Sequence, residues 1–257
     1  MTAGSALEAI LRRDRVVILG ALAALATLCW IYLVWLAARP GMATMADMAP
    51  AAAPWTGDEA LAALLMWSVM MVGMMTPPVA PMILIYARVA RQAQSRGEPF
   101  APAGWFALGY FVAWIGFAAV ATGLQWALER ALLISPTLAG AAPGFGGALL
   151  LAAGVYQWTP LKNACLTLCQ SPLQFIHQHG GFRGQRGAAV ALGLRHGLYC
   201  IGCCWALMLL LFVGGVMNLL WIAAIGALVL AEKLIPGRLV QRIAGVALIV
   251  AGALLVL

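Results

Sequence analysis

Charge is what this chain has least of. Charged residues make up 9% of its 257 positions, and only eight are acidic. A soluble domain carries about 25%, so a water-exposed globule is excluded, and the 64% hydrophobic content fits lipid as the surrounding solvent. The chain has no phosphate-binding Walker loop, no dinucleotide glycine fingerprint and no zinc-protease helix motif. It also has no repeat of 20–50 residues. Nucleotide-driven chemistry is thereby set aside. The net charge of +7 does not gather in one patch, so nucleic acid is not an expected partner. The basic residues punctuate apolar runs instead, as membrane topology requires.

Those runs set the fold class. A span needs about 20 apolar residues. The pattern predicts an all-α polytopic transmembrane bundle of about seven spans, at 16–38, 61–86, 104–128, 144–158, 190–214, 216–231 and 243–257. One integral membrane domain covers 1–257, with an inner Cys-containing segment at 159–186. The first run is too long for a signal-peptide core of about 7–15 residues. With the N-terminus in the cytoplasm, Arg12, Arg13, Arg15, Arg88, Arg91, Arg96, Lys162, Arg183, Arg186, Lys233, Arg238 and Arg242 lie inside. Only Arg39 and Arg130 lie outside, and Arg195 sits at a boundary. Trp55, Trp105, Trp126, Trp158 and Trp221 fall near span ends and suit interfacial anchoring.

Soft donors are plentiful where charge is not. The outer loop reads GMATMADMAP, with Met42, Met45 and Met48 at every third position beside Asp47. Such a triplet suits outer capture of a soft metal, and equally a flexible linker. The second span holds Met66, Met70, Met71, Met74 and Met75. Residues four apart share a helix face, so Met66, Met70 and Met74 form one stripe and Met71 with Met75 another. Pro77, Pro78 and Pro81 follow, and each removes a backbone donor. The expectation is a helix broken there, where a path leaves one helix for the next. Thioethers select Cu(I), but methionine also fills irregular gaps in a core.

Cysteines carry a sharper signal. Cys29 stands alone and reads as a buried hydrophobe. Cys165 and Cys169 are four apart on a short helix that Thr159-Pro160 should start and Ser171-Pro172 should end. His196, Cys200, Cys204 and Met208 are also spaced by four, with Cys203 beside them. Gly197 and Gly202 suit close approach of another helix. A reducing cytoplasmic face disfavours stable disulfides. Copper is the first choice of metal, and a tetrahedral four-thiolate zinc site is the rival. Cys200-Ile-Gly-Cys203 also has a redox spacing.

Four polar features complete the inventory. His177 and His179 read as members of a solvated polar loop. Gln157 and Asn218 read as helix–helix hydrogen-bonding groups. Glu232 and Lys233 read as a helix end snorkelling to the interface. Lys162 joins Gln157, Asn218 and Glu232 as a polar group near or within a span, where burial is costly.

The segments MMVGMMTPPVAP, YQWTPLKNACLTLCQSP, GLYCIGCCWALMLLLFVGGVMNLLW and AEKLIP resemble a bacterial family of predicted metal-binding integral membrane proteins of unknown function. The likeness runs from Met66 to Pro236 and leaves out the Met42, Met45, Met48 triplet. It implies a metal-binding multi-pass protein of the bacterial inner membrane, and no reaction. Three functions follow as expectations. The first is soft-metal binding in transport or handling, with methionines delivering and cysteines receiving copper. The second is a thiol-redox or metal-dependent membrane enzyme, a class the sequence favours less. The third is an accessory subunit or assembly factor with a structural metal. Beyond lipid and metal, further copies of this chain or other membrane subunits are the expected partners.

Overall fold

The computed structural model describes residues 3–38, 55–131, 133, 142–179 and 184–256. Among these residues every regular element is helical. The helices are α1 (Ala3–Ala37), α2 (Gly57–Ser95), α3 (Ala103–Arg130), α4 (Pro143–Tyr156), α5 (Pro160–Gln170), α6 (Pro172–Gln178), α7 (Arg186–Leu209), α8 (Leu219–Leu234) and α9 (Leu239–Val256). A 3-10 turn, Leu210–Phe212, extends α7.

Five stretches are long and apolar enough to cross a membrane: Arg15–Ala37, Gly57–Ser95, Ala103–Arg130, Arg186–Phe212 and Leu239–Val256. They correspond to the first, second, third, fifth and seventh expected spans. The fourth and sixth correspond to α4, of 14 residues, and α8, of 16. At 1.5 Å per residue these two are roughly 21 and 24 Å long, shorter than a bilayer's hydrocarbon core of about 30 Å.

Local chemistry accounts for several helix ends. Thr56 and Glu59 form a reciprocal capping box at the start of α2, with Thr56 N donating to Glu59 Oε2 at 2.7 Å. Thr159 Oγ1 accepts from Lys162 N at 3.3 Å, and Pro160 takes the first turn of α5. Proline acts differently in α2. The expected break does not occur: α2 runs unbroken through Pro77, Pro78 and Pro81. A proline lacks a donor, yet packed neighbours in a bundle can hold the helix in place. Thr76 Oγ1 donates to the Val72 carbonyl at 2.6 Å just before the prolines. Tyr110 Oη of α3 donates to the Met75 carbonyl at 3.3 Å.

The helices approach one another through small residues. α3 packs most extensively on α7, α9 on α4, and α1 on α2. A Cβ added at Gly193 of α7 would fall on the Phe106 carbonyl oxygen, and one at Gly109 of α3 on that of Val190. Gly197 faces Ala113 Cβ and the Tyr110 carbonyl, as its sequence context suggests. In lipid, close backbone packing supplies what the hydrophobic effect supplies in water. α2 and α3 are further joined by Trp67 Nε1, which donates to Gln125 Oε1 at 2.7 Å inside the core. α1 is the least enclosed element, with Val16, Val17, Leu28 and Ile31 each about three-fifths exposed (59–64%).

Gly193→Val should force α3 from α7 and cost about 1–3 kcal/mol, the usual penalty of overpacking. Thermal unfolding of the detergent-solubilised chain measures it. An unchanged midpoint would mean the two backbones do not meet there.

Candidate metal centre

α7 carries the centre. His196, Cys200, Cys204 and Met208 lie along it at four-residue spacing, and all are buried, as is Cys203. The thiols of Cys203 and Cys204 both bond to the Cys200 carbonyl at 3.0 Å. α5 lies against this face. Gly202 leaves room for the Cys165 sulfur, which would stand 2.8 Å from a Cβ at that position. One turn further along α5, Cys169 Sγ stands 3.9 Å from Cys203 Sγ. Gln170 then fastens α5 to the end of α8, donating to the carbonyls of Glu232 at 2.6 Å and Ile235 at 3.1 Å.

All six cysteines are free thiols. Of the five clustered ones, Cys169 alone is partly exposed. Burial pushes the Cys165 thiol above its ordinary pKa. Hydrogen bonding to Cys200 and Cys203 holds the Cys169 thiol well above its own. Cys169 thus lies next to the α7 thiols and is open on its other side.

Charge gathers at the same place. Lys162 Nζ of α5 meets Glu232 Oε2 of α8 at 2.7 Å, with side chains 0% and 1% exposed. The next residue of α8, Lys233, is also buried and sets its Nζ 2.5 Å from Cys200 Sγ. Two ammonium groups therefore face one carboxylate. An unpaired ion in an apolar interior costs several kcal/mol. The Cys200 sulfur is the partner that Lys233 meets instead. Tyr110 Oη lies 3.0 Å from the same sulfur. Glu232 and Lys233 thus do not snorkel to the interface. α5 covers the end of α8, so both side chains turn inward and take partners there.

The methionine stripes are interior. Met66, Met70, Met71, Met74 and Met75 are all at most 5% exposed, and Met82 beyond the prolines is equally enclosed. Met74 lies against Gly226 of α8, where an added Cβ would be 3.6 Å from its terminal methyl. The stripe is joined to the thiols through Tyr110, whose hydroxyl touches both the Met75 carbonyl and Cys200.

Other expected residues have different surroundings. His196 packs among the rings of Phe175, Tyr110 and Phe106 at 5.0, 5.8 and 5.9 Å, and its Nδ1 has no hydrogen-bond partner. His177 and His179 are not in a polar loop. His177 is the exposed penultimate residue of α6, and His179 caps that helix with its ring 4.4 Å from Phe175. Asn218 makes no helix–helix bond, because its side chain is used locally: it caps α8 by accepting from Trp221 N at 3.2 Å. The interhelical bond at Gln157 forms through its main-chain carbonyl, which accepts from Gln241 of α9. Met42, Met45 and Met48 lie outside the described residues.

Tyr110 and the Lys233 contact are what sequence reasoning missed. Tyr110 had one signal, a hydroxyl in an apolar helix at four-residue spacing from Phe106 and Trp114. Lys233 had another, a cation placed next to a carboxylate at an apolar helix end.

The donors suit a soft ion of low coordination number. Among the described residues no group of three or more His, Cys, Asp or Glu side chains forms a ready metal cage. Cys169 and Cys203 form a close thiol pair, and thiolates suit Cu(I) and zinc alike. A family model described as copper chaperone, PpoB2, matches residues 64–255. No curated protein matches the chain. No solved structure matches it either.

Lys162→Met should cost about 3–5 kcal/mol, because it strands Glu232 in the interior. Lys162→Met/Glu232→Leu should recover most of that loss. Thermal unfolding of both variants measures the difference. Equal midpoints would show that the pair is not buried as a unit.

Proposed function

The chain belongs to the copper chaperone family PpoB2, and from that premise we propose that it carries Cu(I) within a bacterial inner membrane and hands it on through paired thiols. Copper is the cargo. The reading rests on one observation: Cys169, partly open, lies 3.9 Å from the buried Cys203. A copper carrier needs an enclosed ligand that holds the ion and an accessible ligand that releases it.

The route begins at the buried thioethers of Met66, Met70, Met71, Met74 and Met75, which are neutral and bind Cu(I) weakly enough to pass it on. Cys200 and Cys203 then receive it as the stronger ligands. Lys233 is the counter-ion that stands at Cys200 until copper arrives. Met208, Cys204, Cys165 and His196 line the surroundings and complete the donor set when the ion needs more than two ligands. Met42, Met45 and Met48 are proposed as the outer capture point from their sequence alone. Structural zinc is the weaker reading, because a closed zinc site takes four ligands in a tetrahedron.

Titrating the purified, reduced chain with Cu(I) against a competing chelator tests the reading. Cys200→Ser/Cys203→Ser should lose the tight site. Cys169→Ser should still load copper but release it more slowly to a thiol acceptor. Wild-type affinity in the double cysteine variant would sink the proposal. A Cys169–Cys203 disulfide that cycles in cells without copper would favour thiol-redox function instead.

A further inference from the structure

α1 and α2 run antiparallel, and their contact sets a register. A Cβ at Gly73 of α2 would stand 3.0 Å from Cys29 Cβ of α1. Arg15 lies 14 residues before Cys29, and Arg88 lies 15 residues after Gly73. At 1.5 Å per residue both are about 21–23 Å from that contact, at the same level. Arg91 follows Arg88 by three residues, on nearly the same face of α2.

A cavity of about 290 Å³ opens between the helices at this level. Arg15, Arg88 and Arg91 line it together with Ile18, Leu84 and Ile85, and among the described residues no acidic side chain does. Val16 and Val17, beside Arg15 on α1, are exposed apolar side chains at the same level. Arg15 also opens the apolar run Arg15–Ala37, the depth at which lipid headgroups meet a span.

We propose that this cleft binds an anionic phospholipid, its phosphate on the guanidinium groups of Arg15 and Arg88 and an acyl chain along Ile18, Leu84 and Ile85. Arginine presents a planar fork of donors that matches phosphate oxygens. Basic pockets between spanning helices on the cytoplasmic side are suited to such headgroups. A free phosphate would satisfy the arginines but not the apolar wall, so the lipid is the better match. The bound lipid would also tie α1, the least enclosed helix, to the rest of the bundle.

The inference rests on the membrane-spanning part of the proposed function and not on copper. The experiment is native mass spectrometry of the full chain, extracted in mild detergent from vesicles of phosphatidylcholine with and without phosphatidylglycerol. Wild type should retain phosphatidylglycerol in preference to phosphatidylcholine. Arg15→Gln/Arg88→Gln should lose that retention by roughly tenfold, and Arg15→Lys/Arg88→Lys should keep part of it. Cu(I) stoichiometry should stay at the wild-type value in both variants. Equal retention by wild type and the glutamine variant, or retention of phosphatidylcholine alone, overturns the inference. Displacement of the retained lipid by inorganic phosphate alone overturns it as well. A chain that fails to enter vesicles sinks the membrane reading too, whereas an inserted chain without anionic lipid sinks only this inference.

Discussion

A buried ammonium has to be neutralised, and much of the centre follows from how Lys233 is. Its Nζ rests 2.5 Å from Cys200 Sγ, while the neighbouring Glu232 is already committed to Lys162. The Cys200 sulfur is the partner that remains. This ties three helices together: α5 through Lys162, α7 through Cys200 and α8 through the adjacent Glu232 and Lys233. The same contact thus contributes to stability.

Tyr110 extends that centre into the methionine helix. Its hydroxyl contacts both Cys200 and the Met75 carbonyl, so α3 bridges α2 and α7 at one point. The position is held by glycine packing on either side, at Gly109 and Gly193, which brings α3 against α7 closely enough for the hydroxyl to reach the sulfur. The methionines fill the space around a proline-bearing helix that stays intact. Cys169, on a short helix fastened by Gln170, is the partly open end of the same cluster.

Several elements were legible before any coordinates. The apolar runs gave the long helices, because length and low charge are read directly from composition. The start and end of α5 followed from Thr159-Pro160 and Ser171-Pro172, because caps and prolines act locally. The four-residue spacing of Cys200 and Cys204 put them on one helix, and Gly197 and Gly202 marked where neighbours come close. Other elements were not legible. Pro77, Pro78 and Pro81 suggested a break, yet the helix persists, because its neighbours decide whether a lost hydrogen bond can be tolerated. Glu232 and Lys233 looked like an interfacial pair, since nothing in their vicinity along the chain says that α5 folds over them.

The sequence by itself determined that the chain is helical with long apolar runs, and that its soft donors fall in three groups. Those properties follow from periodicity, length and residue chemistry, which act over a few turns of one helix. Only the tertiary structure decided that Cys169 meets Cys203, that Lys233 faces Cys200, and that Tyr110 joins the methionine helix to the thiols. Spacing along a helix tells which residues share a face. It does not tell which helix that face will meet. That depends on close packing among all the helices, down to the few glycines that admit a neighbour's backbone.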